Sequence, residues 1–272
     1  MKISLCIALY NEFSNLKYAI DSTYDWVDEL VVVDGGSTDG TLNWLQNRGP
    51  KIHIISVPND PIMFHRMKQK ALDEAHGEWI LQLDADEEVT QALQDEILHK
   101  IHDSKSQTLA YKISRKNFFL GRFLMKGGVY PDYTIRLYQR GSMYFPCKDV
   151  HENVEPVDNS VRKDSAWLGT LDNPLNHYSD PTWKRYFARW IRYCKAEASR
   201  LRRSSSAEQS MIQSFASTIT RLAVLPIYTF LNTYIRHVGF LDGWQGFVFH
   251  GMSALRWWGT LYFTLFTTQK ET

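Results

Sequence analysis

Along the first hundred residues, short and nearly continuous apolar runs take turns with segments whose apolar residues recur every third or fourth position. Ile3 to Leu9 is the first such run, followed by Leu16, Ala19, Ile20 and Tyr24 at helical spacing, with Ser14 placed to cap that helix. Glu29 to Val33 is a second run, Leu42, Trp44 and Leu45 mark a second helix, and Ile52 to Ile55 is a third run. Met67, Ala71 and Ala75 mark a third helix, Trp79 to Leu83 a fourth strand, and Thr90 opens a helix through Leu93, Ile97, Leu98 and Ile101. Runs that lack polar alternation are strands covered on both faces, as in parallel sheets. Strand and helix alternating four times predict βαβ units and a mostly parallel sheet flanked by helices, an α/β fold.

Each predicted strand ends in polar chemistry. The first runs into Tyr10-Asn11-Glu12, the second into Asp34-Gly35-Gly36-Ser37-Thr38-Asp39-Gly40-Thr41, and the fourth into Asp84-Ala85-Asp86-Glu87-Glu88. In a parallel sheet, ligands bind at the carboxyl ends of the strands, so these three segments are expected to converge. Asp84 and Asp86 are two residues apart and point the same way from an extended chain. Their mutual repulsion is relieved by a divalent cation, and hard oxygen ligands beside a phosphate suit Mg2+ or Mn2+. The same carboxylates would also favour the N-terminus of the following helix, and Ser37 and Asp39 are equally good capping residues. Asp34, after a strand and before a glycine turn, can accept hydrogen bonds from a base N–H or a ribose hydroxyl. Neither the GxGxxG dinucleotide fingerprint nor the Walker phosphate loop is present.

Charge divides the chain. Residues 1–180 hold 19 Lys and Arg against 26 Asp and Glu, and residues 181–272 hold 12 against 4, so a net −7 precedes a net +8 within an overall +1. Aromatic residues make up 14% of the chain. Beyond Pro181, Trp183, Tyr186, Phe187, Trp190, Ile191 and Cys194 form a helical apolar stripe, with Lys184, Arg185, Arg189, Arg192 and Lys195 between them. Leu222 to Ile235 is apolar but short and interrupted by Pro226; Phe247 to Phe266 carries His250 and Arg256. A span needs roughly 20 uninterrupted apolar residues, so neither reads as one. The expected organisation is a catalytic domain over 1–180 and, over 181–272, a basic, aromatic-rich helical region lying on an anionic membrane surface, or else packed as a cap. No nucleic-acid motif accompanies the charge. Cys6, Cys147 and Cys194 are three and far apart, which supports neither a zinc site nor a disulfide framework and fits a reducing compartment. The N-terminus is not expected to be a signal peptide, since its apolar run is short and meets Asn11-Glu12 without a cleavage site.

The segments ALYNE at 8–12, VVVDGGSTDGT at 31–41 and GEWILQLDADEEV at 77–89, in this order and spacing, resemble the inverting family-2 glycosyltransferases. The resemblance implies a GT-A (Rossmann-like) fold, a nucleotide-sugar donor and Mg2+ or Mn2+. It places Leu9, Tyr10, Asn11 and Glu12 in the first nucleotide-contacting loop, with Ser37 in the second. It puts Asp34 against the nucleoside base and makes Asp84 and Asp86 the DxD pair, with Asp86 the direct metal ligand. Where relatives carry an Arg-Asn pair, this chain has Arg66-Met67-Lys68-Gln69-Lys70, so Lys68 is the electrostatic stand-in. Tyr130 to Tyr138 (YPDYTIRLY) and Val150-His151-Glu152 resemble the lipopolysaccharide-core type within that family, as does Gly239 to Phe247. That narrower likeness implies a lipid-anchored glycan acceptor, met at the cytoplasmic face of the inner membrane by a peripheral enzyme. Glu152 is its first choice as catalytic base and Asp132 the second; His151 and His177 are candidates for a further metal ligand or a pyrophosphate contact. Arg136 would clamp phosphate or brace an acidic side chain. The competing expectations are a nucleotidyl- or phosphotransferase using the same acidic pair, and a catalytically silent membrane-bound scaffold.

Overall fold

The computed structural model describes residues 1–59, 64–102, 108–147, 153–158, 160–161, 165–204 and 220–266. Two units divide the chain, one comprising Met1–Lys116 with Asp132–Tyr178 and the other Asn117–Pro131 with Ser179–Thr272.

The first unit is built on a sheet whose parallel part joins β3 (Ile52–Ser56), β2 (Glu29–Asp34), β1 (Ile3–Leu9) and β4 (Trp79–Leu83) in that order. The remainder differs from the mostly parallel expectation: the sheet is mixed. Beyond β4 come β8 (Asp132–Gln139), β6 (Ala110–Phe119), β11 (Leu168–Asp180) and β5 (Glu87–Val89). β4 pairs β8, β8 pairs β6 and β11 pairs β5 antiparallel. Glu87–Val89 thus forms a strand instead of leading straight from the acidic run into a helix, because β11 supplies a ladder partner (His177 opposite Glu87) that no local pattern reveals. A short hairpin of β9 (Met143–Tyr144) and β10 (Glu155–Pro156) stands apart from the main sheet.

The unbroken apolar runs have the predicted cause. In β1, Ile3, Leu5, Ile7 and Leu9 enter one core cluster while Cys6 and Ala8 enter a second on the opposite face. Leu30 and Val32 of β2 face the first cluster, Val31 and Val33 the second. Helices α1 (Leu16–Asp21), α2 (Thr41–Gln46) and α4 (Gln91–His102) contribute to the first cluster, and α3 (Phe64–Asp73) covers the other with Met67, Ala71 and Leu72. The α4 cap is as expected, with Leu93 N–H donating to Thr90 Oγ1 at 3.3 Å. The α1 cap is not: Asn15, not Ser14, occupies the position, and its side chain makes no capping bond, being turned to Glu12 Oε2 at 2.6 Å.

The second unit contains the end of β6, β7 (Arg122–Leu124), α5 (Trp183–Ser204), α6 (Leu225–Phe230) and α7 (Gly243–Phe266), with π-type turns Thr220–Val224 and Leu231–Arg236 on either side of α6. Phe119, Leu124 and Tyr186 form its core with Trp190, Phe249 and Met252 against them. α5 and α7 run parallel. Trp190 Nε1 donates to Met252 O at 2.8 Å, Cys194 Sγ to Arg256 O at 3.8 Å, and Arg202 Nε to Thr264 O at 3.2 Å, with the same offset along both helices. Hence Tyr186, Trp190 and Cys194, half of the stripe read from sequence, face α7, leaving Trp183, Phe187 and Ile191 outside.

Candidate active site

The parallel register sets the strand ends side by side. Leu9 lies opposite Asp34, and Ile7 opposite Leu83, so Tyr10, Asp34 and Asp84 all leave the sheet at its carboxyl edge. The two polar loops are then laced together. Asn11, at φ 54, donates its N–H to Ser37 Oγ at 2.8 Å and accepts from Thr38 N–H on Oδ1 at 2.8 Å. Asparagine tolerates that left-handed conformation better than most residues. Glu12 N–H donates to Thr41 Oγ1, and Phe13 N–H to Asp39 Oδ2. Asp39 also takes Thr41 N–H and Oγ1 on its other oxygen. Burial alone would raise the Asp39 carboxyl, but these hydrogen bonds outweigh it and hold it below the ordinary range. Ser37 and Asp39 thus stabilise the turn, but not as the expected helix cap: Gly40 holds the N-cap position of α2, with no side-chain capping bond. Tyr10 stays 40% exposed beside it.

Asp34 is fully buried. Its Oδ2 accepts from Gly36 N–H and Ser37 N–H, both at 3.0 Å, while Oδ1 has no hydrogen-bond partner among the described residues. A buried acceptor left unpaired costs about 1–3 kcal/mol, and a ligand N–H or O–H is the natural way to recover it. Gly36, at φ 80, makes the turn that presents those two amides.

The acidic run is wired to cations of the protein itself. Lys68 Nζ reaches Asp84 Oδ1 at 2.5 Å and Arg136 reaches Asp84 Oδ2 at 2.5 Å. The same guanidinium meets Glu87 Oε1 at 2.6 Å and donates to Gln82 Oε1. Glu87 accepts Asp84 N–H on Oε2 at 3.0 Å. Arg115 approaches Glu87 at 3.5 Å and grips Asp132 Oδ2 through two nitrogens, at 2.7 and 3.1 Å. Glu87 is fully buried and Arg136 is 4% exposed. Burial works to raise the Asp84 carboxyl, yet Arg136 and Lys68 together hold it well below the usual carboxylate range. Lys68, expected as an electrostatic stand-in, is thus placed in a direct ion pair with Asp84. Of the two roles open to Arg136, the contacts show the bracing one, and its buried charge is already committed to Asp84 and Glu87.

Where a cation shared by Asp84 and Asp86 was expected, the two Asp84 oxygens are engaged by Lys68 and Arg136. Asp86 is different. Its Oδ1 lies 3.6 Å from His177 Nε2, and its backbone oxygen accepts Tyr178 N–H, which fixes the loop against β11. Burial lowers the His177 imidazole pKa, opposed by Asp86 and Glu87, so the ring is held towards its neutral, ligating form. Among the described residues no group of three or more His, Cys, Asp or Glu side chains is arranged as a metal cage. One carboxylate and one imidazole nevertheless fit a Mg2+ or Mn2+ that completes its shell with phosphate oxygens and water. His151 and Glu152 lie outside the described residues. Their flanks do not: Phe145 and Val154 pack in the cluster that includes Met67 of α3, and Phe145 N–H donates to Gln69 Oε1 at 2.7 Å.

Sequence reasoning missed Arg115, Gln82 and the pairing of Glu87. Arg115 faces Asp132 because β6 and β8 pair in that register, with a bulge after Tyr111, and no local signal carries it. Glu88, next to Glu87, points to the other face of β5, accepting from Asn176 Nδ2 and Tyr178 Oη.

Residues 4–147 match the family model described as glycosyl transferase family 2. An uncharacterized glycosyltransferase of Rickettsia bellii (strain RML369-C) is 28% identical over 254 residues, covering 91% of this chain and 80% of that one. The lipopolysaccharide core biosynthesis glycosyltransferase LpsC of Rhizobium meliloti (strain 1021) is 29% identical over 161 residues, 58% of this chain and 59% of its own. Among solved structures, S. aureus TarS 1-349 in complex with UDP-GlcNAc aligns with a TM-score of 0.49 at 14% identity, over 97% of this chain and 91% of that one.

Proposed function

Because this chain belongs to glycosyl transferase family 2, we propose that it transfers a sugar, with inversion, from a UDP-linked donor to a lipid-anchored glycan of the cell envelope. The observation that carries the donor reading is the buried Oδ1 of Asp34 at the carboxyl edge of the sheet, without a hydrogen-bond partner among the described residues. A uracil presents one ring N–H for such an acceptor, and the laced loops at Asn11 and Ser37 pre-organise it before the ligand arrives. The acceptor class is supported by the relative named for lipopolysaccharide core biosynthesis. An acceptor of that kind puts the enzyme at the cytoplasmic face of the inner membrane.

In this reading Lys68 and Arg136 hold Asp84 ionised and rigid, and Asp84 orients the loop through its bond to Glu87. Asp86 and His177 would hold Mg2+ or Mn2+. Such an ion supplies Lewis-acid neutralisation of the departing nucleoside diphosphate. Glu152 takes the proton from the acceptor hydroxyl as that oxygen bonds to the sugar's anomeric carbon and the bond to the diphosphate breaks on the opposite face. Asp132, gripped by Arg115, is the second choice for the base.

The test is donor turnover. Asp34→Asn keeps one oxygen for the Gly36 and Ser37 amides but replaces the open acceptor by a donor. UDP-sugar affinity measured by calorimetry should fall about 10- to 100-fold, the range of an inverted buried hydrogen bond. Asp86→Ala should abolish Mn2+-dependent turnover with the fold retained, and Glu152→Gln should cost more in kcat than Asp132→Asn. Undiminished turnover in Asp86→Ala refutes the metal assignment, and release of pyrophosphate instead of a nucleoside diphosphate refutes glycosyl transfer.

A further inference from the structure

α7 carries apolar side chains on an outward face along its whole length. Trp244, Phe247, Leu255, Trp258, Tyr262 and Phe266 recur every three or four residues, with Gly251 completing the row, and no polar residue interrupts it. These six are 39–73% exposed. The opposite face of the same helix is occupied: Gly246, His250, Ala254 and Thr260 are buried, and Met252, Arg256 and Thr264 meet α5 through their backbone oxygens. The segment around α6 repeats the pattern. Val224, Ile227, Tyr228, Leu231 and Ile235 are 52–62% exposed at the same spacing. The two rows are neighbours, because Trp257 Nε1 donates to Thr229 Oγ1 at 3.0 Å and Trp258 Nε1 to Leu222 O at 2.7 Å. A soluble surface does not ordinarily leave two adjoining apolar rows open.

We propose that this double row is a membrane-insertion face, lying flat in the headgroup region of an anionic bilayer. Three observations select a lipid surface as the occupant. First, the region from 181 carries a net +8, and Lys184, Arg192, Lys195, Arg236 and Arg256 are exposed in it, which complements anionic headgroups and disfavours a second like-charged copy. Second, the row is rich in Trp and Tyr, whose amphipathic rings settle at the interface. Third, among the described residues no helix is long and apolar enough to cross a membrane, so insertion is parallel to the plane. Within the region 181–272 expected to meet the membrane, the α5 stripe is half used up against α7. Only its start, where Trp183 stacks near Trp244 at 6.4 Å, adjoins the exposed row. The inference gives the lipid-anchored acceptor reading its anchoring surface, and rests on that reading only for its biological setting.

The experiment uses the full chain with phosphatidylcholine vesicles, with and without phosphatidylglycerol. Co-sedimentation is expected with the anionic vesicles and to weaken with salt. Phe247→Ser with Trp258→Ser and Tyr262→Ser should lower partitioning about tenfold or more, since each removes buried apolar area from the bilayer. Trp244→Phe with Trp258→Phe should still bind while losing the fluorescence quenching that acyl-chain-brominated lipids cause in the wild type. Thermal stabilisation by UDP-sugar should be the same in all, which separates failure of this surface from failure of the donor reading and confirms that the variants fold. Undiminished partitioning of the serine variant, quenching unaffected by the Phe pair, or a concentration-dependent dimer lost in the serine variant would each overturn the proposal.

Discussion

At the scale of single residues, Arg136 decides more than its neighbours. It is 4% exposed and ties Gln82, Asp84 and Glu87 together, two of them carboxylates. A buried ion pair adds little over a hydrophobic pair of the same shape, but removing one partner strands the other's charge, at about 3–5 kcal/mol. Arg136→Met should therefore cost that much in urea unfolding of the first unit, whereas Arg136→Met with Glu87→Leu should recover a large part of it. A single variant with wild-type stability would mean that Glu87 finds other compensation. That Asp34 and Asp84 leave the sheet at its carboxyl edge was legible in sequence, because each follows directly from an apolar run that forms a strand. Arg115 and the orientation of Glu87 were not, since Arg115 meets Asp132 only through the antiparallel register of β6 with β8, and Glu87 is set by pairing with β11, some ninety residues later. Lys68 and Arg136 could each be named from the string as charge partners, but that both converge on Asp84 follows only from the packing of α3 and β8.

Elements were read in proportion to how local their causes are. The four parallel strands stand where the apolar runs lie, because covering on both faces leaves its mark in composition. β5, three residues long, exists only through β11 and left no such mark. In the second unit the helical period of α5 was readable, but not which of its residues would be consumed by α7. That packing is close enough to be tested at one glycine. A Cβ on Gly259 would stand 2.6 Å from Trp190 Cη2 and 2.7 Å from Cys194 Sγ. Neither can yield cheaply, as the indole is held by its bond to Met252 O and Cys194 is fully buried. Gly259→Val should thus destabilise the α5–α7 pair by about 1–3 kcal/mol, the cost of overpacking. Near-UV circular dichroism during thermal unfolding would report it, and an unchanged transition would show that the helices slide apart without penalty.

On the scale of the whole chain, the acidic first part and the basic second part are plain from residue counts, and they set different dependences on conditions. Salt should weaken the membrane contact proposed for the second unit, whereas acid should act on the first through Glu29. This residue, on β2, accepts from Ser4 Oγ of β1, from His76 N–H at 2.5 Å and from Gly77 N–H at 3.1 Å, so one carboxylate joins two strands to the turn that leads into β4. Burial acts to raise its pKa, but the hydrogen bonds outweigh it and leave the folded value below the ordinary 4.5. A depressed folded pKa means that the unfolded chain binds the proton more readily. The stabilisation is therefore complete above about pH 4.5 and is lost as pH falls through the folded value. Glu29→Gln keeps the shape and removes the charge. At neutral pH it should cost about 1–3 kcal/mol, the worth of hydrogen bonds to a charged acceptor. That difference from wild type should shrink towards zero in progressively more acid buffer, where wild-type Glu29 is itself protonated. Urea midpoints of both proteins between pH 7 and pH 3 give the comparison, and two parallel curves would show that some other carboxylate controls the acid limb.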